Sequence, residues 1–289
     1  MIYLVSGDQH LRPDHPKCTT YTDDEWMVFQ EECLQFVIDN GNEHKATIVF
    51  TGDMFDVPRV PPELVNLLIR CVSKSKNTPY IVSGNHEKQY HRESNVEKSS
   101  IGVTKNNPLF NYLTPDEHIY GTRFEHSAWI NENTLVIHTL SYPEDPPFGM
   151  DCPTAQELLD KYPDAKWIFI GDLHIPYHYE KDGRHVISSG KMTVQKVNED
   201  EHDPIVYLVD TDKETVTPIP LPHNRDRITD AHIQESNNRQ SRIASVVEVI
   251  RNGKRVVLSF IDGLHDMSTK LSLGAQNIIH EIEETKCNT

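Results

Sequence analysis

A chain of 289 residues, 37% of them hydrophobic, is long enough to bury a full core in one large domain with a small appendage. No apolar run approaches the ~20 residues that span a bilayer, and the apolar residues 2–5 run into Gly7-Asp8 with no basic stretch or cleavage site, as a strand does and a signal peptide does not. With 44 acidic against 28 basic side chains, a formal net charge of −16, the surface is not one that grips nucleic acid by blanket electrostatics, although bound cations reverse that logic locally.

In chain order, short β-branched or aromatic runs each lead into a polar motif. Residues 2–5 lead to Gly7-Asp8-Gln9-His10, and residues 47–50 to Gly52-Asp53-Met54-Phe55-Asp56. Residues 80–82 lead to Gly84-Asn85-His86-Glu87, residues 135–137 to His138, and residues 167–170 to Gly171-Asp172-Leu173-His174. Runs this short and apolar predict strands buried on both faces. Between the first two, Thr22 and Glu25 form a capping box ahead of Trp26, Phe29, Cys33 and Val37, which predicts a helix that ends at Gly41. Pro61-Pro62 opens a second helix, with Leu64, Leu68 and Cys71 on one face. Strand, helix, strand with polar residues at the strand ends is an α/β arrangement, in which ligands gather outside the carboxyl ends of strands. Residues 1–222 form the main domain and the polar residues 223–244 read as a linker. Residues 245–289 read as a small cap or interaction module: a strand over 245–250, an Asn252-Gly253 turn, a strand over 255–261 and a helix over 268–284. Cys18, Cys33, Cys71, Cys152 and Cys287 are odd in number and contain no CxxC pair, which predicts reduced thiols in a cytoplasmic protein.

Taken singly, each polar motif is a common turn. The set is more specific, because five strand ends in order deliver Asp, Asn or His, the donor types of hard and borderline divalent ions.

In that order these motifs resemble those of the calcineurin-like metallophosphoesterase family, over residues 1–222. The resemblance implies a four-layer αββα sandwich of two mixed sheets with two divalent metals at one edge. By it, Asp8, His10, Asp53 and His174 hold the first metal. Asp53 bridges to the second, which Asn85, His138 and Asp172 complete, and the catalytic His86 faces the leaving group. The chemistry suits the roles. Two adjacent cations need a bridging anion, and a carboxylate can offer both oxygens. Asn85 adds an oxygen without charge, and His86 can hand a proton to a departing alkoxide. Position 172 departs from the family, which carries histidine there. As a ligand, Asp172 tilts the site toward manganese, with magnesium or other ions next. In the bland alternative it weakens the second site, or orients a histidine from behind. His178 and His185 are expected to line the same pocket without a role.

Within the family the motifs look most like SbcD-type DNA nucleases, which implies DNA as substrate and an SbcC-type ATPase as partner, with a homodimer open and no membrane contact. Protein phosphatases of the family carry Arg-Gly after the second Asp motif, whereas here Asp56 is followed by Val57-Pro58-Arg59. Basic residues near the motifs, Arg12, His15, Lys17, Lys88, His91 and Arg92, are either solvated loop charge or a rim that touches phosphate. Two other readings stand beside the nuclease: a phosphodiesterase or pyrophosphatase for small phosphate esters, and a binding module with weakened catalysis.

Overall fold

The computed structural model describes residues 1–120, 123–199 and 202–251, and the chain divides into two compact units, Met1–His232 and Ile233–Thr289. In the first unit, β1 (Ile2–Ser6), α1 (Asp23–Glu43), β2 (Thr47–Phe50), α2 (Pro62–Val72), β3 (Tyr80–Ile81) and β4 (Asn111–Tyr112) follow in order. Then come β5 (Asp116–Tyr120), β6 (Arg123–Asn131), β7 (Thr134–His138), α3 (Ala155–Lys161) and β8 (Trp167–Gly171). The unit's last strands are β9 (Tyr177–Lys181), β10 (Arg184–Ser188), β11 (Ile205–Asp210) and β12 (Thr215–Pro220).

The strands form two six-stranded mixed sheets, ordered β12-β11-β1-β2-β3-β4 and β5-β6-β7-β8-β10-β9. In the first sheet β1 to β4 are parallel, and β11 runs antiparallel to both of its neighbours, β1 and β12. In the second, β7, β8 and β10 are parallel. Alternation along the strands splits their side chains between two faces. Val5, Val49 and Val82 of one sheet and Val136, Phe169 and Ile187 of the other fill the space between the sheets, where the rings of Tyr3 and Phe169 meet edge-on with centroids 5.5 Å apart. Leu4, Ile48 and Phe50 point outward to α1 and α2, and Ile137, Ile168 and Ile170 to α3. The result is the αββα sandwich. Its parallel strands β1, β2, β3, β7 and β8 carry the five polar motifs at their carboxyl ends.

Both early helices start as predicted, with the Thr22–Glu25 capping box formed. α1 runs past Gly41 to Glu43, because Gly41 serves packing: a Cβ there would lie 2.8 Å from Ile48 Cγ1. The expectations for the later chain need correction. Residues 223–244 hold a short turn of 3-10 helix at Arg225–Arg227 and the start of α4 (Ala231–Arg251), and the strand expected over 245–250 is the end of that helix. Extending a nucleated helix needs one new bond per residue, and no Gly or Pro interrupts it, so the β-branched Val246-Val247 run is carried along. The turn at 252–253, the strand at 255–261 and the helix at 268–284 lie outside the described residues.

Candidate metal centre

Three of the five motifs place their side chains through an unusual backbone. Asp8, His10 and Asp53 sit at φ 47°, 44° and 50°, and Asp172 at φ 91°, conformations that cost L-residues about 1–3 kcal/mol each and gather at functional sites. Two glycines let the motifs nest. A Cβ on Gly84 would lie 2.0 Å from Asp53 Oδ1, and one on Gly52, at φ 106°, would lie 2.2 Å from His138 Nδ1. The loops after β1 and β2 are laced together by His10 N–H to Asp53 O at 2.9 Å and Leu11 N–H to Met54 O at 2.9 Å.

All eight residues named from the sequence come to this one edge of the sandwich. His10 Nε2 and His174 Nε2 face each other at 3.1 Å. Asp53 Oδ2 lies 3.7 Å from His10 Nε2 and 3.4 Å from His138 Nε2. His138 Nε2 is also 3.3 Å from Asn85 Oδ1 and 3.9 Å from Asp172 Oδ1. Asp8 joins two groups of closely spaced donors, one with His10 and His174, the other with Asp53 and His138. Donors bound to one ion at about 2.1 Å lie within about 4.2 Å of each other, and all five measured separations are shorter than that. Asp53 differs from the expectation in one respect. A single oxygen, Oδ2, faces both halves of the cluster, while Oδ1 accepts the His86 N–H at 3.0 Å. Asp172 is the outlying member: its side chain is 26% exposed and its Oδ1 stands 3.9 Å from His138 Nε2, while its N–H donates to both Asp8 oxygens at 3.0 and 3.2 Å. His86 is exposed, its ring 4.9 Å from that of His10, with Nδ1 3.2 Å from the Asp56 carbonyl.

Three groups behind the histidines were not assigned from the sequence. His138 Nδ1 is 2.8 Å from the Thr51 carbonyl, His174 Nδ1 is 2.6 Å from Glu199 Oε1, and His10 Nδ1 is 3.3 Å from Asp56 Oδ1. The Thr51 carbonyl and Glu199 hold the ring protons of His138 and His174 on Nδ1 and turn their Nε2 lone pairs into the cluster, as metal-binding imidazoles require, whereas Asp56 approaches His10 Nδ1 without hydrogen-bond geometry. Asp56 stands in the Gly52–Asp56 motif and was legible as part of it. Glu199 is 25 residues beyond His174, at the end of a short 3-10 turn, Val197–Glu199, with no pattern to single it out.

The electrostatics fit a bound cation. Burial pushes Asp8 up to about 6, against the pull of His174 and His138. Burial also opposes ionisation of Asp53, but His138, His10 and His86 outweigh it and hold that carboxyl well below its usual range. Burial disfavours the charged form of His10, yet Asp56, Asp53 and Asp8 raise it to about 9; His138 likewise rises to about 10, mainly through Asp53. Protons on inward-facing imidazoles thus balance the buried carboxylates, a task that a divalent ion does better. Three carboxylates, three imidazoles and one amide oxygen suit manganese or magnesium as well as softer ions.

Two expectations fail here. His185 pairs with Trp167, the first residue of β8, whereas the cluster lies past Gly171, the last, so at ~3.3 Å per residue about 13 Å of strand separates them. His178 and His185 belong to the β9–β10 hairpin, not to the pocket. Among the basic residues, Lys88 is no rim group, since its side chain is fully buried 3.6 Å from Glu93. Arg12 pairs with Asp14 at 2.7 Å and His15 with Asp23 at 2.7 Å.

A sequence model of the calcineurin-like phosphoesterases matches residues 2–187. No curated protein sequence matches the chain. Among similar solved structures, a novel archaeal phosphodiesterase is 12% identical, with a TM-score of 0.42 over 76% of this chain and 100% of that one. Hypothetical protein PH1004 from Pyrococcus horikoshii OT3 is 10% identical, TM-score 0.43, over 86% and 96%. Wild-type Vps29 from Entamoeba histolytica, complexed with zinc, is 14% identical, TM-score 0.35, over 73% and 86%.

Proposed function

This chain belongs to the calcineurin-like phosphoesterase family, and from that premise we propose that it is a two-metal phosphodiesterase of the SbcD nuclease type, acting on DNA. The observation that carries the reading is the convergence of donors from five strand ends within ion-sized distances, with His86 exposed beside them. Asp8, His10, Asp53 and His174 would hold one ion, and Asp53, Asn85, His138 and Asp172 the other. Two such ions, manganese foremost, would supply the positive charge that attracts a phosphodiester and eases loss of a proton from water.

The chain's own residues do the rest. Thr51 and Glu199 fix the orientation of the His138 and His174 imidazoles before anything binds, which lowers the cost of assembling the site. Asp53 keeps one oxygen for both halves because the His86 N–H occupies the other. His86, with Nδ1 anchored on the Asp56 carbonyl, presents Nε2 outward and delivers a proton to the leaving oxygen, a contribution of roughly 10²–10⁴ in rate. The net charge of −16 argues that DNA is seated with help. An SbcC-type ATPase or a second copy of the chain supplies it, and residues 245–289 are the module through which that partner docks.

The test is parallel incubation of the protein and manganese with single-stranded DNA, duplex DNA and bis-p-nitrophenyl phosphate. Degradation of DNA supports the nuclease. Turnover of the small ester alone replaces it with a small-molecule phosphodiesterase, and no turnover of any substrate refutes the enzyme.

A further inference from the structure

The β9–β10 hairpin carries a second group of metal-type donors that has no part in the phosphoesterase site. Its turn is Asp182-Gly183, both left-handed at φ 53° and 70°, the pair that a two-residue hairpin requires. This turn fixes the register. Lys181 faces Arg184, Glu180 faces His185, and His178 faces Ile187. Residues two apart on a strand share a face, as do cross-strand partners, so His178, Glu180 and His185 all project from the face of Ile187. His178 Nε2 is 3.1 Å from His185 Nδ1, and a Glu180 oxygen lies within 4.8 Å of the ring nitrogens. His185 is buried and stacked on Trp167, ring centroids 4.1 Å apart and planes 10° from parallel, so its ring cannot swing away.

We propose that His178, Glu180 and His185 form a separate metal site that takes a borderline divalent transition metal ion, zinc foremost, with a coordination position open to solvent. Two imidazole nitrogens and one carboxylate oxygen are the three-ligand set that zinc accepts while keeping a fourth position for water. A lone His178–His185 hydrogen bond accounts for the two rings but not for Glu180, whose carboxylate has no hydrogen bond or ion pair among the described residues. The site is also weaker than the phosphoesterase cluster. Ligation through His185 Nδ1 leaves the proton on Nε2, which is buried without a hydrogen-bond partner, whereas His174 and His138 have acceptors behind them. A bound ion would tie β9, the edge strand of its sheet, to β10.

The experiment counts zinc on the full-length chain and on His178→Ala and Glu180→Gln, whose exposed side chains can be changed without disturbing the core. Calorimetric titration gives stoichiometry and affinity, and cobalt absorption gives the ligand field. Both variants are expected to lose one weak equivalent, or bind it at least tenfold less tightly, and to keep manganese-supported hydrolysis of bis-p-nitrophenyl phosphate unchanged. If either variant binds zinc with the stoichiometry and affinities of the unaltered chain, the proposal is overturned.

Discussion

Replacing Glu199 tests whether the groups behind the histidines set metal affinity. Its Oε1 is 2.6 Å from His174 Nδ1, while Oε2 accepts the N–H groups of Gln195 at 3.0 Å and Lys196 at 3.1 Å. Lys191 Nζ lies 3.5 Å from Oε2, almost fully buried. Burial works against the charge on Glu199, but His174 and Lys191 outweigh it and hold its carboxyl down at about 2. A hydrogen bond to a charged group is worth about 1.5–3 kcal/mol, and loss of such a partner typically costs a metal site 10–100-fold in affinity. Glu199→Ala is therefore expected to weaken manganese binding at the His174 side by 10–100-fold, about 1.4–2.7 kcal/mol. Glu199→Gln is expected to fare nearly as badly. Only its oxygen can accept from His174, which turns the amide NH₂ against two backbone donors. Manganese titration followed by the paramagnetic resonance of the free ion should show one site weakened and the other within about threefold of the unaltered chain. Thermal unfolding of the metal-free forms separates this effect from any loss of stability caused by leaving Lys191 without its carboxylate. A well-folded Glu199→Gln variant with unaltered manganese affinity at both sites would refute the reasoning.

Four further outcomes are expected. Asp53→Asn removes the charge facing both His10 and His138, and metal analysis should show both ions loosened and activity abolished; two ions held at unaltered affinity contradict the bridging role. His86→Ala should keep both metals and slow turnover by roughly 10²–10⁴, with a smaller loss on nitrophenyl than on alkyl esters, since an acidic leaving group needs no proton; equal losses would exclude proton donation. Asp172→Asn tolerates the left-handed backbone yet drops a charge, so calorimetry should show the His138 side weakened at least tenfold and the other side intact; unchanged binding at both would remove Asp172 from the ligand set. In Gly84→Ala a methyl would meet Asp53 Oδ1 at 2.0 Å, so the variant should fold less stably and bind metal poorly, and a crystal structure with Asp53 unmoved would show that the close approach is not needed.

Periodicity and turn chemistry were enough to read an α/β arrangement with Asp, Asn and His at five strand ends; the αββα sandwich and the candidate site residues 8, 10, 53, 85, 86, 138, 172 and 174 followed from the resemblance of those motifs to the calcineurin-like family. Local physics explains why. Strands buried on both faces must be apolar throughout, so a polar residue at a strand end stands out, and each glycine ahead of a ligand marks a point where backbone and side chain meet too closely for a Cβ. Local pattern misled at residues 245–250, where a β-branched run is absorbed into a helix already begun at Ala231. It was also silent on β4, β5, β6, β9, β10 and β12, although Asp182-Gly183 was a legible turn signal. Only the tertiary structure decided that Glu199 and the Thr51 carbonyl stand behind His174 and His138, that one oxygen of Asp53 faces both halves, and that His185 lies about 13 Å of strand from the cluster, with His178 beside it on the neighbouring strand. These are contacts between segments far apart in the chain. Sequence spacing fixes which face of a strand a side chain leaves from; the register between strands and the packing of the two sheets fix what it meets.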